Sequence, residues 1–140
     1  MTTQILDAST LLLLIKRYGE KAFEILKAST SIPLIYYEIG NAIRTGAAIH
    51  QLMTPLEAEK TLEKIHTGIE LMTLQRQENV QDSKQILENS LDHNLTYYDS
   101  AYLTAAEKEK AALITDDKRL TEAAKNANIT TSNIDHLVRK

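Results

Sequence analysis

Four acidic residues of this chain are set against apolar runs: Asp7 follows Ile5-Leu6, Glu38 lies inside Ile35-Tyr36-Tyr37-Glu38-Ile39, Asp99 follows Tyr97-Tyr98, and Asp117 follows Leu113-Ile114-Thr115-Asp116. A carboxylate embedded in a core-forming segment is costly unless something positive meets it. No lysine or arginine lies one turn from Glu38, and Arg44, six residues on, is beyond the spacing at which helical side chains pair. Grouped carboxylate oxygens bind hard divalent cations, so convergence of the four would define a metal enzyme using Mg2+ or Mn2+. Three of the acids also have a plain structural use. Asp7 suits a turn or helix start, Asp99 the acidic half of a Thr96-x-x-Asp99 cap, and Asp117 a helix cap. Found together at strand ends and first helical turns, they favour a shared site. Ser9, Asn41 and Thr115 stand beside three of them and offer hydroxyl and amide groups that could orient a carboxylate.

Composition narrows the chemistry further. The chain has no cysteine, which removes thiol catalysis, cysteine-ligated zinc and disulfides and suits a reducing cytoplasm. The net charge of -3 does not advertise a nucleic-acid partner, so any such partner needs a local patch. Lys16, Arg17, Arg44, Lys118 and Arg119 are the candidates for phosphate contacts. His50, His66, His93 and His136 show no metal-ligand spacing and are expected on surfaces. The segment Asp7-Ala8-Ser9 lacks the second aspartate of the haloacid-dehalogenase phosphatases, and there is no glycine-rich phosphate loop. Leu11-Leu12-Leu13-Leu14-Ile15 is too short to span a bilayer and has no basic segment before it, so a soluble, cytoplasmic protein without a membrane partner is expected. The same run is wider than one helix face can bury, which suggests a surface for a second copy.

The elements that must position these residues can be read from periodicity. With four glycines, two prolines and no repeat or linker, residues 1–140 read as one domain. Residues 3–6 form a short buried strand, and Ser9 or Thr10 caps a helix to about residue 16. A second helix covers roughly 20–28, and Pro33 opens a third over about 34–48, with Glu38, Asn41 and Thr45 as a polar stripe beside its apolar face. Thr54-Pro55-Leu56-Glu57 is a strong helix start, and that helix is expected to end near Gly68. The partly alternating 69–74 reads as a strand, followed by helices over about 79–93 and 96–110. A strand over 111–115, a helix over 118–127 and a last strand over 129–131 complete the chain. Short strands alternating with helices predict an α/β sandwich with a parallel sheet covered on both faces. In such a sheet Asp7 and the Asp116-Asp117 pair share the carboxyl edge if their strands are neighbours.

Four segments together resemble the PIN-domain ribonucleases, and among them the VapC-type toxins of prokaryotic toxin–antitoxin pairs. They are Ile5-Leu6-Asp7-Ala8-Ser9, Glu38-Ile39-Gly40-Asn41, Leu95-Thr96-Tyr97-Tyr98-Asp99-Ser100-Ala101 and Leu113-Ile114-Thr115-Asp116-Asp117-Lys118-Arg119-Leu120. Each motif alone is loose, whereas their order and spacing resemble the family over essentially the whole chain. The resemblance implies a PIN-like three-layer sandwich with a short parallel sheet flanked by helices. It also implies a Mg2+ or Mn2+ site at the carboxyl edge and metal-dependent hydrolysis of RNA phosphodiester bonds. Carried over by position, Asp7, Glu38, Asp99 and Asp117 are both the catalytic and the metal-binding acids, and Ser9, Asn41 and Thr115 support them. The family places one variable residue between threonine and aspartate, and here that slot holds Asp116, which could add a ligand or face solvent. The implied partners are an RNA substrate, a small VapB-type antitoxin and a second copy in a homodimer. A PIN nuclease of RNA processing and a non-catalytic RNA- or protein-binding module are the alternative readings.

Overall fold

A computed structural model describes residues 3–138. The strands β1 (Gln4–Leu6), β2 (Thr30–Ser31), β3 (Thr73–Leu74), β4 (Ala112–Ile114) and β5 (Thr131–Ser132) form one parallel sheet in the order β3-β2-β1-β4-β5. The central strand β1 therefore pairs with β2 on one side and β4 on the other, with Leu6 opposite Ile114. Alternation along the two central strands decides which layer each side chain serves. Leu6 and Ile114 pack with residues of α1 (Ala8–Tyr18), α2 (Ala22–Lys27), α3 (Leu34–Arg44), α4 (Pro55–Leu71) and the short α8 (Ile134–Val138). Ile5 and Leu113 pack on the opposite face with α5 (Val80–His93), α6 (Tyr97–Glu109) and α7 (Lys118–Asn126). The result is a three-layer α/β sandwich. No helix among the described residues is long and apolar enough to cross a membrane.

Several boundaries differ from those read in the sequence. Asp7 itself caps α1, its Oδ1 accepting from the Thr10 N–H at 2.9 Å, in place of Ser9 or Thr10. Helix α3 passes without a break into a π-turn over Thr45–Ile49. Helix α4 runs through Gly68 to Leu71, so only Thr73–Leu74 of the expected 69–74 strand is extended. Alternation over 69–72 competed there with the helical spacing of Ile65, Ile69 and Met72, all buried, and tertiary packing decided for the helix. Gly68 is a packing residue, since a Cβ there would lie 2.9 Å from Leu26 Cδ1. The strand β2 was not legible because it is two polar residues long. It is buried nonetheless, with the Ser31 hydroxyl donating to Leu6 O at 2.8 Å. The last strand lies at Thr131–Ser132, slightly beyond the expected 129–131, and α8 follows it. The Leu11–Ile15 run is absorbed internally: Leu11, Leu14 and Ile15 are core, while Leu12 and Leu13 are partly buried against it. Leu12 and Leu13 keep part of their surface exposed.

Candidate active site

The topology places a crevice beside β1 and β4. The chain leaves β1 toward β2 and β3, then crosses back to β4, so the connections diverge at the carboxyl ends of these two neighbours, where open α/β sheets receive ligands. Asp7 immediately follows β1, and Thr115, Asp116 and Asp117 follow β4. Two threonines hold this edge together. The Thr10 hydroxyl donates to Ile114 O at 3.0 Å, tying the first turn of α1 to β4. The Thr115 hydroxyl donates to Asp7 Oδ2 at 2.5 Å and accepts from the Asp117 N–H at 3.0 Å. Both oxygens of Asp7 are thereby oriented, and the two acid-bearing loops are linked through one hydroxyl. Asp117 caps α7, its Oδ1 accepting from the Leu120 N–H at 2.8 Å. Asp7 and Asp117 thus serve as caps and as walls of the crevice together.

The other two acids come from opposite layers. Glu38 sits on α3 between the buried Ile35 and Ile39, half-buried at the flank of that face. Asp99 lies in the first turn of α6, where its N–H donates to the Thr96 hydroxyl at 3.0 Å. In α4 the equivalent glutamate, Glu57, accepts a return bond at its side chain from the Thr54 N–H. Among the described residues the Asp99 carboxylate makes no such bond to the Thr96 N–H, and Asp99 lines the crevice. Asp7, Glu38, Asp99 and Asp117 all line one open cleft of about 440 Å³ together with Ser9, Asn41 and Tyr102. Of the expected supporting groups, Thr115 bonds an acid directly. Ser9 and Asn41 are exposed wall residues, and among the described residues neither bonds to one of the four acids. Asp116 turns away and lines a separate depression with Lys118, Lys125 and His136.

Tyr102 is the residue that sequence reasoning missed. Its ring is wholly buried in α6, one turn beyond Asp99, and its hydroxyl donates to Glu38 Oε1 at 2.6 Å. The bond spans from one helical layer to the other and supplies the partner that Glu38 lacked on its own helix. A tyrosine three residues after an acid at a helix start was the available signal. Its meaning depended on the packing of α6 against α3, which periodicity does not encode.

The electrostatics follow from this crowding. Burial pushes the Asp7 carboxyl above its ordinary range, opposed by the Thr115 and Thr10 bonds, and the Asp117 charge pushes it further. Glu38 is raised by burial and by the charges of Asp99 and Asp7, with the Tyr102 bond working against them. Asp99 is raised by burial and by the charges of Asp117 and Asp7, with the Thr96 hydroxyl and, less strongly, Arg119 working against them. No salt bridge to any of the four occurs among the described residues, and Arg17, one of the expected phosphate contacts, lies instead 3.5 Å from Asp135. Among the described residues no lysine or arginine lines the cleft, so Lys16, Arg17, Arg44, Lys118 and Arg119 all stand outside its wall. Arg119 is near enough for its charge to act on Asp99. His50, His66 and His136 are exposed and His93 is partly so.

The donor set is entirely oxygen, without thiol or imidazole, and so fits Mg2+ or Mn2+ in its chemistry. Its spacing is open: among the described residues no three acids or histidines already stand close enough to hold an ion. Negatively charged groups that share a cleft with no cationic side chain stand to gain from a divalent ion.

No protein-family model matches the chain, and no curated protein matches it either. The fold is similar to that in the crystal structure of PAE2754 from Pyrobaculum aerophilum, with a TM-score of 0.80 and 22% sequence identity over 99% of this chain and 96% of that one. This likeness shows the architecture, a three-layer sandwich around a parallel sheet.

Proposed function

We propose that this protein is a metal-dependent endoribonuclease that hydrolyses RNA phosphodiester bonds, and that it is the toxin of a VapBC-type pair. The observation that carries the reading is the convergence of Asp7, Glu38, Asp99 and Asp117 on one cleft with, among the described residues, no cationic side chain in its wall. The four motifs bearing these residues resemble the PIN-domain toxins in order and spacing, which supports RNA as the substrate.

In this proposal Asp7, Asp99, Asp117 and Glu38 hold Mg2+ or Mn2+, which when bound supplies charge to offset the scissile phosphate and activates water. The residues of the chain set the stage for that chemistry. Thr115 fixes the rotamer of Asp7 and the approach of the Asp117 loop. Tyr102 fixes Glu38, so one oxygen of that carboxylate is committed and the other is available to the cleft. No histidine or serine nucleophile is required.

The proposed partners are an RNA substrate, a small VapB-type antitoxin and a second copy of the chain, acting in the cytoplasm. Light scattering and co-purification with the product of a neighbouring reading frame test the protein partners. Cleavage of a panel of structured RNAs, with Mg2+ or Mn2+ and then with chelator, tests the activity. The expected result is cutting that stops when metal is removed; activity that survives complete removal overturns the mechanism.

A further inference from the structure

Two of the six tyrosines are exposed and line the carboxylate cleft from opposite layers: Tyr37 on α3 is 79% exposed and Tyr98 on α6 is 60% exposed. Each directly precedes an acid of the cleft, Glu38 and Asp99. Large aromatic faces left in water beside a polar site mark surfaces that gain by being covered. With no lysine or arginine in the wall among the described residues, charge contacts within the cleft do not grip a polyanion. Rings that stack on bases hold a strand without such contacts, and they do so only when the bases are unpaired. One turn beyond Tyr37, on the same side of α3, the exposed Asn41 lines the same cleft and offers an amide donor and acceptor.

The geometry points to a pair of base-stacking subsites, Tyr37 with Asn41 on one side of the acids and Tyr98 on the other, that select single-stranded RNA. The inference rests on the ribonuclease reading for its choice of ligand. Bases flanking the phosphate at the acids lie against the two rings, and the base on Tyr37 presents its edge to Asn41. Duplex RNA is rejected because its bases are already stacked and paired.

The test separates binding from cutting. Fluorescence anisotropy with a short labelled single-stranded RNA, in Mg2+ and in the Asp99→Asn background to prevent cleavage, gives the affinity. Tyr37→Ala and Tyr98→Ala are each expected to weaken binding by about tenfold. Tyr37→Phe and Tyr98→Phe are expected to retain it, and the same RNA in a perfect duplex or with central abasic positions is expected to bind poorly. Both rings are exposed, so melting temperatures are expected to stay unchanged. Equal affinity of the alanine variants, or failure of the single strand to bind, overturns the inference. So does loss of a co-purifying protein in the alanine variants while RNA affinity is kept, since the rings would then be a protein contact. Tyrosine-dependent binding of RNA that the wild type leaves uncut supports the subsites and defeats the nuclease reading, so the two failures are distinguishable.

Discussion

Replacing Tyr102 with phenylalanine removes one hydroxyl from a wholly buried ring and leaves the packing of α6 in place. The lost bond is short, 2.6 Å, and its acceptor is a carboxylate. Hydrogen bonds to charged groups contribute about 1.5–3 kcal/mol. Glu38 is only half-buried, so water can replace part of that, and a net loss of about 1.5 kcal/mol is expected. At about 2.1 cal/mol/K per residue, unfolding of the 140-residue chain carries roughly 0.3 kcal/mol/K, so the melting temperature is expected to fall by about 5 °C. A double-mutant cycle with Glu38→Ala assigns the loss to this bond. Urea or thermal unfolding of the four proteins, without metal, is expected to give a coupling of about 1 kcal/mol. Coupling below about 0.3 kcal/mol, within the additivity of independent sites, would refute the view that Tyr102 acts through Glu38.

Asp117→Asn is expected to abolish cleavage while keeping the α7 cap, because asparagine caps as well as aspartate does, and Asp116→Asn to keep most activity. RNA cleavage rates check both, and an inactive Asp116 variant beside an active Asp117 variant reverses the assignment. The raised carboxyls of Asp7, Glu38 and Asp99 mean that the folded state binds more protons than the unfolded state above the ordinary values of 3.8 and 4.5. Their contribution to stability is therefore lost as pH rises through that range toward neutrality. Metal-free melting profiles of wild type are expected to decline more steeply with pH than those of Asp99→Asn; parallel profiles would show that the repulsion is not felt. Gly40→Ala, which meets nothing within 4 Å, is expected to raise stability by up to about 1 kcal/mol. Gly68→Ala is expected to lower it by about 1 kcal/mol, because its methyl would meet the fully buried Leu26 at 2.9 Å, and calorimetry of both variants checks the contrast.

What could be read from the sequence was what local chemistry encodes. The Thr54-Pro55-Leu56-Glu57 start is an actual capping box, and the apolar segments ending at Leu6 and Ile114 are adjacent central strands. The layered architecture followed from strands alternating with helices. Residues whose role depends on distant partners were not legible. The buried Thr30–Ser31 strand has no apolar run, because its place is fixed by pairing with β1 and by the bond to Leu6 O. Tyr102 reads as an ordinary helical aromatic until α3 is set opposite it. The Leu11–Ile15 run showed its strength but not its destination: a helix roofed by several others buries more than one stripe. Asp7 and Asp117 show that a cap and a cleft acid need not be alternatives, since one oxygen can serve the helix while the side chain still lines the crevice.

The central claim is that the four carboxylates act as one cation-holding set, and Mn2+ binding followed by electron paramagnetic resonance tests it without any substrate. Saturable binding is expected for the wild type. Asp7→Asn, Asp99→Asn and Asp117→Asn are each expected to weaken it by about tenfold or more, and Asp116→Asn to leave it unchanged. Absence of saturable binding, or equal affinity in all four variants, would contradict the account.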